Sequence, residues 1–142
     1  MATQISLMLA VRRGAAAIEF YKQAFRAVEL RRVDAGGLVG AGLSIAGVEF
    51  FLADESPAHG QRAPDLAGHT TVRIELFVDD PSAVHSRAVA AGARETSPPQ
   101  EHRNPTVGPR PIRRILQSAV VDPFGHVWLI GRVLEYGSGA DR

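Results

Sequence analysis

The strongest constraint on the fold of this chain is a change of hydrophobic period that occurs twice. In VRIELFVD, Val72, Ile74, Leu76 and Val78 alternate with Arg73, Glu75 and Phe77, the period-2 signature of a strand with one apolar face. Asp80 then offers a side-chain oxygen as N-cap, and Pro81 stands where the first helical turn needs no N–H. Val84, Ala88 and Ala91 follow at i, i+4, i+7, a helical stripe that Gly92 ends. The same succession opens the chain. Ile5 to Val11 alternates as a strand, Arg12 to Gly14 turns, and Ala15 to Phe25 holds helix formers with Ile18, Tyr21 and Phe25 along one stripe.

After the first helix, strands are expected at Ala27 to Val33, Val39 to Ile45 and Val48 to Ala53, with turns at Asp34 to Gly37 and Ala46-Gly47. Residues 54–69 lose periodicity and read as a linker. The second helix leads to a short strand at Arg94 to Thr96, then to the irregular PPQEHRNPTVGPRPIRR at 98–114. That segment holds five of the nine prolines and four arginines. Strands at Ile115 to Asp122 and His126 to Gly131 close the pattern, and the tail from Glu135 is expected to fray. SIAGVEFFL is echoed by DPFGHVWLI: Gly47 aligned with Gly125 pairs Phe50 with Trp128 and Leu52 with Ile130. The chain therefore reads as an internal duplication, βαβββ twice. The expected fold class is α+β, with two βαβββ modules of curved mixed sheets around a cleft. One domain spans 1–142, with module one at 5–53, a linker at 54–69, module two at 70–131 and a tail at 132–142.

Composition narrows the function classes. A formal net charge of +1 argues against a nucleic-acid or anionic-membrane partner. The absence of cysteine removes disulfides and thiolate metal sites and suits a cytoplasmic location. No apolar run approaches the ~20 residues of a membrane span, and no signal peptide is discernible. The five histidines, at 59, 69, 85, 102 and 126, lack the i, i+4 spacing of a helical metal pair. Each reads as an exposed or capping residue, with His69 sharing the strand parity of Arg73 and Glu75.

Three stretches, AIEFYKQAFRA at 17–27, VDDPSAVHSRAVAAGA at 78–93 and VDPFGHVW at 121–128, resemble the vicinal oxygen chelate superfamily of glyoxalase I, bleomycin-resistance proteins and extradiol dioxygenases. The likeness covers about residues 5–131 and is greatest to the PhnB-like branch. It implies sheets curled around a cleft, commonly dimerised across module edges, so a homodimer is expected. It also implies four metal-ligand positions, on the first and fourth strand of each module. Counted from the matched motifs these are Ser6, Phe51, Glu75 and Leu129. One carboxylate with two hydrocarbon side chains does not make a metal site, so no metal and no cofactor are expected.

Strand parity places Ser6, Met8, Ala10, Glu49, Phe51, Arg73, Glu75, Phe77, Val127 and Leu129 on the cleft side. Phe50, Leu52, Ile74, Leu76, Trp128 and Ile130 then face the helices. The expected ligand-binding set is Ser6, Met8, Glu49, Phe51, Arg73, Glu75, Phe77 and Leu129, an apolar lining with a small polar group. Arg73 and Glu75 read either as an ion pair in the wall or as groups that recognise a ligand. The arginines of 98–114 decorate a surface loop or bring a cation to an anionic ligand. The leading expectation is a metal-independent small-molecule binding protein. It would sequester a drug-like or metabolite ligand, a flat apolar molecule whose cationic or hydrogen-bonding group Glu75 answers. The alternatives are a lyase, isomerase or dioxygenase using a divalent metal or Glu75 as general base, and a regulatory dimer without a ligand.

Overall fold

In a computed structural model that describes residues 1–139, the element order repeats. The first set is β1 (Met8–Val11), α1 (Gly14–Phe25), β2 (Val28–Ala35), β3 (Leu38–Ile45) and β4 (Val48–Asp54). After a 3-10 turn at Pro57–His59 and the short α2 (Pro64–Ala67) come β5 (Arg73–Phe77), α3 (Pro81–Ala90), β6 (Arg94–Arg103), β7 (Ile112–Val121) and β8 (Val127–Tyr136). The sheets have orders β1-β4-β3-β2 and β5-β8-β7-β6. In each, the first strand lies parallel to the fourth and the other pairs are antiparallel. Two mixed four-stranded sheets of one topology are what a duplicated βαβββ sequence requires. The chain divides into two compact units, Met1–Thr70 with Pro123–Gly125, and Thr71–Asp122 with the residues from His126 onward.

In the first unit α1 covers one sheet face. Ile18, Tyr21 and Phe25 are buried together with Val11, Leu43 and Leu52, and the Tyr21 and Phe50 rings meet edge to face at 5.8 Å. No side chain caps α1 locally. Asp54, forty residues on, serves instead: Oδ1 accepts the Gly14 N–H at 2.6 Å and Oδ2 the Val39 N–H at 2.8 Å. A Cβ at Gly14 would meet the Val39 carbonyl at 2.9 Å, so glycine permits the helix to start against β3. The Phe124 ring, on the Pro123–Gly125 turn, packs near Phe20 at 6.1 Å.

In the second unit Asp80 caps α3 as the sequence predicts, Oδ1 accepting the Ala83 N–H at 3.1 Å behind Pro81 at the first turn. Val84 and Ala88 are buried together with Val120, Trp128 and Ile130. The Trp128 indole N–H donates to Asp122 Oδ2 at 2.9 Å, and Oδ1 of the same carboxylate accepts the His126 N–H at 3.0 Å. That buried carboxylate is thereby satisfied.

Several expectations are corrected. The first strand spans only Met8–Val11, with Ile5 and Leu7 exposed, although the Leu7 carbonyl still accepts the Phe51 N–H. The linker contains the 3-10 turn and α2 rather than being without structure. The stretch 98–114 is irregular only over 104–111, because β6 runs through Pro98 and Pro99 to Arg103. This strand lies at the sheet edge, where an outward N–H is not needed for pairing, and its register slips between Ser97 and Gln100 so that Pro98 and Pro99 have no partner in β7. Residues 132–136 of the expected tail continue β8, paired with β7 as far as Tyr136. Residues 140–142 of that tail lie outside the described residues. His85 and His126 are buried, not exposed. His85 bridges Ser118 Oγ at 2.8 Å and Glu95 Oε2 at 2.5 Å, joining α3 to β7 and β6.

Candidate functional site

The expected site residues lie along the sheet faces opposite the helices, on β1 and β4 in the first unit and on β5 and β8 in the second. In the first unit the register aligns Met8 with Phe51, Phe51 with Gly42 and Glu49 with Ser44. Neighbours so paired share a face. A Cβ at Gly40 would come within 3.2 Å of the Phe51 ring. The glycines that weaken β3 as a sequence pattern thus make room for a large side chain.

A cavity of about 330 Å³ opens here, lined by Ser6, Leu30, Arg31, Gly42, Glu49, Phe50 and Phe51. Of the expected residues it unites Ser6, Glu49 and Phe51. Met8 is half-buried beside Phe51 in the register and does not line the cavity. Leu30, Arg31, Gly42 and Phe50 were not in the expected set. Arg31 reaches the open face because β2 slips register between Glu29 and Arg31, and a one-residue slip turns a side chain to the other face. That irregularity has no signature in the sequence.

Neither Arg31 nor Glu49 makes a side-chain hydrogen bond or ion pair among the described residues. Arg32, next along, is engaged by Glu29 at 2.7 Å. Hydrogen bonds from Arg32 and then Lys22 hold the Glu29 carboxyl below its ordinary value. The cavity therefore offers an apolar wall with one cation and one anion uncommitted.

In the second unit Arg73, Glu75, Phe77 and Leu129 lie on β5 and β8, with Arg73 beside Val127 and Glu75 beside Leu129. Here the chain covers its own face. Segment 104–111 turns back so that Val107 is buried with Ile112 and Ile115, and Leu129 and Val133 pack against them. Glu75 Oε2 accepts the Gly108 N–H at 2.6 Å, and Oε1 accepts from Arg73 Nε at 3.2 Å. Arg73 also donates to the Thr106 carbonyl. Arg73 and Glu75 are thus an ion pair that clasps a loop, a contact across 33 positions that no local pattern announces. His69, exposed and preceding β5, takes no part in it.

The four positions that the resemblance assigns to a metal do not fit one. Phe51 and Leu129 present hydrocarbon, Leu129 is packed under Val107 and its neighbours, and both oxygens of Glu75 already accept hydrogen bonds. Among the described residues no group of three or more His, Cys, Asp or Glu side chains is placed to hold a metal ion. Nor, among them, is any helix long and apolar enough to cross a membrane.

Sheet order, helix placement and open faces define a duplicated βαβββ protein. The chain belongs to the Glyoxalase/Bleomycin resistance protein/Dioxygenase superfamily, whose family model matches residues 4–130. An uncharacterized protein from Mycobacterium bovis is 37% identical over 133 residues, covering 90% of this chain and 82% of its own. Among solved structures, TioX from Micromonospora sp. ML1 has a TM-score of 0.66 at 25% identity, covering 94% of this chain and 100% of its own. A gene product from Arabidopsis thaliana has a TM-score of 0.65 at 26% identity, covering 93% and 100%.

Proposed function

We propose that this protein binds a small molecule without a metal, in the cavity on the open face of the first sheet. The observation that carries the reading is the lining itself: Phe51 and Leu30 beside Arg31 and Glu49, two opposite charges with no partner among the described residues. Ligand cavities pair a large apolar wall with a few placed polar groups in this way. A flat apolar body carrying a cationic or hydrogen-bonding group suits it, with Glu49 answering that group and Arg31 answering an anionic one. Hydrocarbon at two of the four positions where the superfamily's metal enzymes carry ligands supports metal independence.

The enzymatic reading through Glu75 has less support, because that carboxylate is already held by the Gly108 N–H and Arg73. Open strand edges support a homodimer, and the cysteine-free composition supports a cytoplasmic setting.

Thermal melting with Zn²⁺, Ni²⁺, Fe²⁺ and Mn²⁺, then with a library of aromatic amines, tests the reading. No metal is expected to raise Tm. At least one amine is, with the shift lost in Glu49→Gln and in Phe51→Ala. A metal bound stoichiometrically, or amine binding indifferent to both variants, would overturn it.

A further inference from the structure

A second cavity, of about 290 Å³, lies wholly within the second unit. Its walls are Phe77 at the end of β5, Ile112 at the start of β7, Val133 and Tyr136 on β8, and Pro109 and Arg110 of the folded-back loop. Phe77 is 45% exposed and Tyr136 49%, so two aromatic rings stand half open to solvent at one hollow. Its single charge is Arg110, whose guanidinium carbon lies 5.3 Å from the Tyr136 ring centroid, within cation–π range.

Arg110 differs from the arginines beside it. Arg113 approaches Glu135 at 3.6 Å and Arg114 meets Glu101 at 2.7 Å, whereas Arg110 makes no ion pair among the described residues. The loop that carries it is fixed along its length. Asn104 N–H donates to the Arg113 carbonyl at 2.8 Å, Gly137 N–H to the Pro111 carbonyl at 3.0 Å, and Gly108 N–H to Glu75. Pro105, Pro109 and Pro111 restrict the backbone between those anchors. The backbone that carries the cation is held before any ligand arrives, which reduces the entropy lost on binding.

A planar guanidinium beside aromatic walls complements a planar anion on a flat apolar body, since a carboxylate accepts two parallel N–H bonds from arginine. The volume is at the lower end of ligand cavities and suits a bicyclic ring rather than a larger drug. We infer that this cavity binds an aromatic monocarboxylate, with its ring against Phe77 and Tyr136 and its carboxylate on Arg110. This site goes beyond the function proposed above: it lies in the other unit, and its only charged lining residue is a cation.

Calorimetry on the full chain with 2-naphthoate tests it, with 2-naphthamide as the neutral ligand of the same shape. Saturable one-to-one binding of naphthoate is expected, with naphthamide weaker by about tenfold or more. Arg110→Met should weaken naphthoate by a similar factor and leave naphthamide unchanged, while Arg110→Lys, which keeps the charge but loses the fork, falls between. Arg103→Gln, an equal change of net charge on the exposed end of β6, should alter neither. Arg110 is exposed and outside every strand, so its variants are expected to melt like the parent. No saturable binding of naphthoate, equal binding by Arg110→Met, or an equal loss in Arg31→Gln would each overturn the assignment. The last result would place naphthoate in the first-unit cavity. Failure of the metal and amine experiments leaves this site untouched.

Discussion

Replacing Glu75 separates its two possible roles, loop anchor and ligand group. The Gly108 N–H meets the Glu75 side chain at 2.6 Å, and a hydrogen bond to a charged group contributes about 1.5–3 kcal/mol. The Arg73 contact adds little, about 0–1 kcal/mol, because the Arg73 side chain is 46% exposed. Glu75→Ala is therefore expected to cost about 2–3 kcal/mol, and Glu75→Gln, which keeps a neutral acceptor, about 1 kcal/mol. Urea denaturation should show a lower midpoint with an unchanged slope. Amide exchange in the native state should accelerate at Val107 and Gly108, since Val107 is buried only while the loop stays down. An unchanged Gly108 exchange rate with less than about 0.5 kcal/mol lost would refute the clasp. If amine binding were abolished at the same time, Glu75 would be the ligand group that the sequence suggests.

Gly125→Ala should be among the most damaging single changes: φ is +90°, and the new Cβ would lie 2.5 Å from the Asp65 nitrogen and 2.9 Å from the Pro64 carbonyl carbon. A loss of about 3 kcal/mol or more by chemical denaturation is expected, and parental stability would show that the turn relaxes freely. A hydrogen bond from Arg114 holds the Glu101 carboxyl below its ordinary 4.5. The pair's contribution is therefore complete above about pH 4.5 and is lost as pH falls through the lower folded value. Between pH 6 and pH 3 the parent should lose more stability than Glu101→Gln; parallel curves would contradict the pairing.

The elements legible in the sequence were those whose information is local. The alternation through Val72 to Val78 and the Asp80-Pro81 cap each lie within one helical turn or one strand, and the structure places β5 and α3 within a residue or two of the expected bounds. What was illegible depends on partners far along the chain. β6 survives two prolines only because it is an edge, and edge position belongs to the sheet rather than to the segment. Arg31 reaches the open face only through a bulge set by pairing with β3. His85 is buried by Ser118, 33 positions on, although nothing in α3 distinguishes it from a surface histidine. Parity did sort Leu52, Trp128 and Ile130 correctly to the helix side, since alternation survives wherever a strand has no bulge. The Pro-rich stretch announces its arginines but not its role as a cover for its own sheet, because its anchor is a glutamate on β5.

The proline pair in β6 also governs how copies of this protein meet. An unprotected edge is a template on which the strands of other molecules add by main-chain pairing, the first step of ordered aggregation. Pro98 and Pro99 remove backbone donors at the middle of β6, and the slip in register between Ser97 and Gln100 breaks the straight run that an added strand would need. Addition of a strand from another molecule along this side of the sheet is therefore disfavoured at its middle.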